Sequence, residues 1–251
     1  MHYRFSIDDN ILFFKDISEN NYSSIFENPY LSFFKKMHDR YGTRFQFNIY
    51  NETDGFELSQ MSDRYKKEWN QNSDWLHLSF HARADSPPDP YLNSTYDRAY
   101  SDCINIHNQI IRFAGNASLD YYTTVHYCQA SDEAIHGFKD AGIKGLVGLY
   151  DNKLSCYGRS FDDFIEPYVY DTENSIYLFS NDLILNLCDK ESIIPLLESK
   201  KHKKFLEIMI HEQYYYESYP CYQPDFCDKV ETAISYLTKE GRKSVFLSEL
   251  I

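Results

Sequence analysis

Long apolar runs are missing from this chain of 251 residues. No window approaches the roughly 18 consecutive apolar residues of a transmembrane helix, so no membrane partner is expected. The N-terminus, Met-His-Tyr-Arg-Phe-Ser, has no apolar stretch of the kind a secretory signal needs, and a cytoplasmic protein is expected. Positive charge is in deficit: 25 Lys and Arg stand against 38 Asp and Glu, a formal charge of -13. That balance argues against a nucleic-acid partner, whose phosphates require basic surface. None of the six cysteines forms a Cys-x-x-Cys pair, and a chain this long builds a core without disulfides, so free thiols are expected. Glycine is scarce at nine residues, and no Gly-x-Gly-x-x-Gly or Walker-type loop occurs. The usual signature of a nucleotide-binding open sheet is therefore absent.

What is present is a globular composition, 43% hydrophobic and 17% aromatic, enough for one large core. Two periods alternate along it. Tyr3 to Ile7 and Arg44 to Tyr50 read as strands, the second through Phe45, Phe47 and Ile49. Between them, Pro29 suits a helix start, Leu31, Phe34, Met37 and Tyr41 recur at helical spacing, and Gly42 ends the run. Ser59 can cap a polar helix to about Asn72, and a strand from Trp75 to His81 follows. A long helix from about Ser94 to Gly115, a strand from Thr123 to Tyr127, a helix capped by Ser131, and a strand from Leu146 to Tyr150 come next. The stretch 151–174 is irregular and reads as an insertion. Strands at Ile176 to Phe179 and Phe205 to His211, helices around Glu191 to Ser199 and Pro224 to Glu240, and a last strand, Ser244 to Leu247, complete the pattern. Long connections bring successive strands in parallel. Length and strand number favour one α/β domain over 1–251: a distorted (β/α) barrel of about seven strands related to the eight-fold type, with a doubly wound open sheet as the alternative.

In such a fold, side chains at the carboxyl ends of the strands converge on one mouth. Four strands deliver carboxylate or imidazole there: the first ends in Asp8-Asp9, and others run into His81-Ala-Arg83-Ala-Asp85, His126-Tyr-Cys-Gln129 and His211-Glu212. His77 would lie about 13 Å from His81 on an extended strand, too far to share an ion. One carboxylate and two neutral imidazoles suit a divalent, zinc-like ion and metal-assisted hydrolysis. Adjacent aspartates leave an extended chain on opposite sides, so one can ligate while the other acts as base; a His elsewhere can protonate the leaving amine.

These residues resemble the polysaccharide deacetylase superfamily, carbohydrate esterases that remove N- or O-acetyl groups on a distorted barrel. Phe-Ser-Ile-Asp8-Asp9-Asn resembles its opening motif, which implies Asp8 as general base and Asp9 as metal ligand. Leu-Ser-Phe-His81-Ala-Arg-Ala-Asp85 resembles its second motif, implying His81 and Asp85 as ligands. His126 to Ser131 stands where the family carries Arg-Pro-Pro-Tyr; that departure makes His126 available as a replacement ligand or a sugar contact. The strand ending in His211 resembles the one bearing the family's catalytic His. Arg83, Gln129 and Tyr214, beside these positions, are candidate substrate contacts. The resemblance implies a metal-dependent hydrolase, with zinc the first choice of ion and an acetylated sugar or related amide as substrate. Two other readings stand beside it: a catalytically silent carbohydrate-binding or scaffold protein on the same fold, and a glycosidase, which would need a second acid such as Glu212.

Overall fold

The computed structural model describes residues 1–149, 157 and 167–251. Strand β1 is His2–Asn10, followed by helices α1, Leu12–Glu19, and α2, Pro29–Tyr41. Asn28 caps α2 through its side chain, Pro29 opens it, and Gly42 closes it in the left-handed region at φ 69. Strand β2, Phe45–Tyr50, runs into a small hairpin of β3, Glu52–Thr53, and β4, Phe56–Glu57. Helix α3, Lys66–Gln71, precedes β5, Leu76–Ala82, and α4, Tyr96–Phe113. Then come β6, Tyr122–Thr123; α5, Asp132–Asp140; β7, Gly145–Gly148; β8, Val169–Asp171; β9, Ile176–Ser180; and β10, Leu183–Ile184. Helix α6, Lys190–Ser199, strand β11, Phe205–His211, helix α7, Phe226–Lys239, and strand β12, Lys243–Ser244, end the order.

The strands form a distorted barrel rather than a flat sheet. One sheet runs β10-β11-β1-β2-β5, with β12 also on β1, and another β6-β7-β9-β8. A parallel bridge between Leu78 and Leu119 links β5 to the approach of β6. The run Ile176 to Ile184 touches both sheets, pairing with β7 through β9 and with β11 through β10. Seven parallel positions thus ring the interior among the described residues, as the length and strand pattern predict. All pairings around the ring are parallel; β8 joins its outer side antiparallel to β9.

The period of two sorts the side chains. Phe5, Ile7, Phe45, Phe47 and Ile49 are buried in the main apolar core, together with Phe13, Tyr30 and Phe34 of the overlying helices. The alternate positions point the other way and bond one another inside the barrel. Arg4 pairs with Glu207 and reaches Gln46 at 3.3 Å, Ser6 bonds Glu207 at 2.9 Å, and Asn48 bonds Asp8 at 2.6 Å. The barrel interior is a polar column.

Three sequence expectations are corrected. The helix expected from Ser59 is broken into short 3-10 turns before α3, because Arg112 donates to the Leu58 and Met61 carbonyls, both at 2.7 Å, which a helix would have used itself. The strand expected over Thr123 to Tyr127 is only β6, since the chain turns at Tyr127 and Cys128, both at positive φ. The last strand is β12, two residues followed by a 3-10 turn. Helix α1 and the β3–β4 hairpin were not expected. Most of the irregular stretch 151–174, with Tyr150 and Cys156, lies outside the described residues; β8 falls within its described part.

Burial pulls the His107 imidazole of α4 down to about 4. An unfolded His titrates near 6.5, so below that pH the unfolded chain takes up a proton that the fold refuses. The fold should lose roughly 3 kcal/mol from this group as pH falls from about 6.5 to about 4. In His107→Gln, melting temperatures at pH 7 and pH 4.5 should lie several degrees closer together than in the wild type.

Candidate metal centre

The site is built where two strands depart from regular pairing. Between Ile7 and Asn10 the β1–β2 register shifts, and Asp9 stands at φ 63, in the left-handed region. Asn10 holds this bulge by donating to the carbonyls of Ile7 at 2.6 Å and Asn48 at 3.0 Å. A second irregularity lies across the mouth: Ile49 pairs with Phe80 but Tyr50 with Ala82, so His81 occupies the step between them. Bulges re-aim side chains, and these two turn Asp9 and His81 toward each other. His126 enters from the turn after β6, directly before the two residues at positive φ.

Asp9 Oδ1, His81 Nε2 and His126 Nδ1 form a triangle with edges of 3.0, 3.2 and 3.4 Å. All three residues are buried. Around a tetrahedral ion with bonds of 2.0–2.1 Å, adjacent donors lie about 3.3 Å apart, so the set fits a divalent ion. The outward nitrogens explain why the inward ones are lone pairs. His81 Nδ1 donates to the Thr124 carbonyl and His126 Nε2 to the Asp85 carbonyl at 3.1 Å; a carbonyl can only accept, which fixes the tautomers. Two imidazole lone pairs and a carboxylate oxygen therefore face one another.

Asp8 is buried beside this triangle. Burial raises its carboxyl above the ordinary value, against the lowering bond from Asn48. His211 is the register partner of Asp8 across the β1–β11 pair, and its Nδ1 is bonded to Asn186 Oδ1 at 2.8 Å. Asp8, Asp9, His81, His126, His211 and Tyr214 all line one cavity of about 430 Å³. Asp85 lines it too, but its carboxylate is outside the donor triangle, 4.0 Å from His126 Nε2 and exposed. Arg83 is turned away to Glu52 at 3.1 Å and lines a neighbouring cavity of about 900 Å³, which meets the first at Asp9, Asp85, Gln213 and Tyr219. Gln129 is half-buried and lines neither cavity.

One residue at the site escaped the sequence reading as a contributor. Tyr50 places its hydroxyl 2.5 Å from Asp9 Oδ1 and 2.9 Å from His126 Nδ1. Its signal was the complementary alternation Gln46, Asn48, Tyr50, the polar face of a strand read only through its apolar one. Glu212, the second acid a glycosidase would need, is fully buried and accepts from the backbone N–H groups of Ile11, Leu12 and Phe13 at 2.6–2.9 Å, with a fourth bond from Tyr216. Burial pushes its carboxyl up to about 7 against those bonds. It caps α1 and lines neither cavity, so the glycosidase reading loses its acid.

No family model matches the sequence, and no curated protein matches it. Solved structures do match. A family 4 acetyl xylan esterase from Clostridium thermocellum in complex with a cobalt ion aligns at a TM-score of 0.57 and 12% identity, covering 100% of this chain and 90% of that one. A CE4 family pseudoenzyme from Bacillus anthracis aligns at 0.54 and 11%, covering 99% and 64%. A 4-alpha-glucanotransferase from Thermococcus litoralis aligns at 0.63 and 11%, covering 100% and 40%. Polysaccharide deacetylases of the CE4 family are thus structural neighbours of this chain, and at these identities the likeness is one of fold.

Glu212→Ala should leave three buried N–H groups without their acceptor and cost about 3 kcal/mol or more. Urea unfolding would show this as a lower midpoint at unchanged slope, with Glu212→Gln intermediate.

Proposed function

We propose that this chain is a divergent member of the polysaccharide deacetylase superfamily and a metal-dependent hydrolase that removes acetyl groups from a carbohydrate or related amide. The observation that carries the reading is the triangle of Asp9, His81 and His126, three electron-pair donors spaced for one divalent ion. Zinc is the first choice on ligand type. A divalent ion bound there supplies a Lewis acid that polarises an acyl oxygen and makes water acidic enough to attack near neutral pH.

The chain's own groups supply the proton chemistry. Asp8, on the same cavity and with its carboxyl raised by burial, takes the proton from the attacking water. Asn48 fixes that carboxylate from the barrel side, and Gln46 and Arg4 continue the support inward. His211, steadied through Nδ1 by Asn186, gives a proton to the departing amine or alcohol from the strand next to that of Asp8. Tyr214 and Tyr219 stand on the cavity wall, where aromatic faces suit sugar rings.

A second reading is a catalytically silent carbohydrate-binding protein. It is favoured by the absence of an Arg-Pro-Pro-Tyr stretch before α5 and by a neighbour that is itself described as a pseudoenzyme. Elemental analysis and acetate release separate the readings. The hydrolase should carry about one divalent ion per chain, lost in His81→Ala, and Asp8→Asn should keep the ion while acetate release from acetylated sugars falls about 10²–10⁴-fold. Metal uptake without acetate release from any acetylated sugar would favour the silent protein, and no uptake after reconstitution with several divalent ions would remove the metal reading.

A further inference from the structure

Tyr50 is fully buried at the end of the polar face of β2, and its hydroxyl has no ordinary core environment. It lies 2.5 Å from Asp9 Oδ1, 2.9 Å from His126 Nδ1 and 3.4 Å from Asp85 Oδ1. A phenol has one proton, whereas three acceptor atoms converge on it. Adding its oxygen to the triangle gives four donors: the oxygen lies 2.5 Å from Asp9 Oδ1 and 2.9 Å from His126 Nδ1, beside triangle edges of 3.0, 3.2 and 3.4 Å. The 2.9 Å contact and the triangle edges approach the spacing of neighbours around one ion, about 3.3 Å for a tetrahedron of 2.0–2.1 Å bonds, while the 2.5 Å approach to Asp9 is the length of the charge-assisted O–H···O bond that the phenol makes with that carboxylate. A tyrosine that merely braced Asp9 would have no reason to come within 2.9 Å of the inward nitrogen of His126 as well.

We propose that the Tyr50 hydroxyl oxygen is a fourth protein donor to the divalent ion held by Asp9, His81 and His126. This rests on the metal-centre reading above and goes beyond it, because it makes the centre a two-imidazole, one-carboxylate, one-phenolate set. On binding, the phenol proton leaves to solvent as the oxygen turns its electron pair to the cation, and metal uptake is accompanied by proton release. Asp85, held by Gln213 at 3.1 Å, places Oδ1 3.4 Å from the same hydroxyl. The side of the ion left to water and substrate is then the one facing Asp8 and His211, which line the smaller cavity.

The test is a titration of the full-length apoprotein with Cu²⁺, which forms the strongest complexes of the divalent series at such ligands. Copper bound to a phenolate gives a visible ligand-to-metal charge-transfer band. The wild type should develop that band, saturating at one equivalent. Tyr50→Phe should still take up one ion through the other three residues but without the band, and Tyr219→Phe, a phenol on the same cavity, should keep it. One tightly bound ion with no such band in the wild type, or a band that survives in Tyr50→Phe, overturns the assignment while leaving the three-residue centre intact. Absence of any bound ion overturns the centre itself and this inference with it.

Discussion

The mouth of the barrel depends on one backbone distortion, the left-handed turn of Asp9 at the end of β1. A non-glycine residue in that region costs of order 1 kcal/mol or more, and it persists only where the surroundings over-determine it. Here two side chains do so. Asn10 takes over the carbonyls that the bulge leaves unpaired on β1 and β2, and Glu212 collects the first three N–H groups of α1. Between them the residue that carries the carboxylate ligand has no freedom to relax into a regular strand. A regular strand would have placed Asp8 and Asp9 on opposite faces, one inside the barrel and one under the helices. The bulge is what lets both reach the same cavity.

The second constraint is the polarity of the barrel interior. Layers of branched aliphatics usually fill such a space, but here Arg4, Ser6, Gln46, Asn48, Ser79 and Glu207 occupy it, bonded to one another and to the Tyr122 carbonyl. Buried polar groups are costly unless paired, and the column's donors and acceptors largely meet one another, with Arg4 Nη2 and Glu207 Oε2 the atoms of its ion pair that find no hydrogen-bond partner. Its upper end is Asp8. The Asp8 carboxylate is thereby held by a chain of hydrogen bonds that ends in a fully buried ion pair, which restrains it more firmly than a surface contact.

Much of the architecture was legible because local chemistry decides it. Asn28, Pro29 and Gly42 punctuate α2, and alternating aromatics mark β2. What was not legible depends on partners far away in the chain. Helix α1 has no capping side chain of its own at Ile11; its cap is Glu212, some two hundred positions later, and no reading of residues 8 to 20 reveals that. The broken segment before α3 depends in the same way on Arg112. Within the site, Asp8, Asp9, His81 and His211 were visible as polar endings of strands, whereas Tyr50 looked like one more aromatic in an aromatic-rich chain. Only the ring of neighbours distinguishes it.

That His126, and not Asp85, completes the donor triangle follows from the same geometry. In a strand continuing past Ala82, a residue four positions after His81 has to fold back to meet the same ion. The chain instead leaves along an exposed loop, and Asp85 turns its backbone carbonyl, rather than its carboxylate, toward the site by accepting from His126 Nε2. His126 can fill the third corner because the turn at Tyr127 and Cys128 stops β6 early and swings the imidazole across the mouth. The Asp85 carboxylate therefore stays outside the donor triangle, while its backbone carbonyl, by accepting from His126 Nε2, fixes the tautomer of the imidazole that completes that triangle.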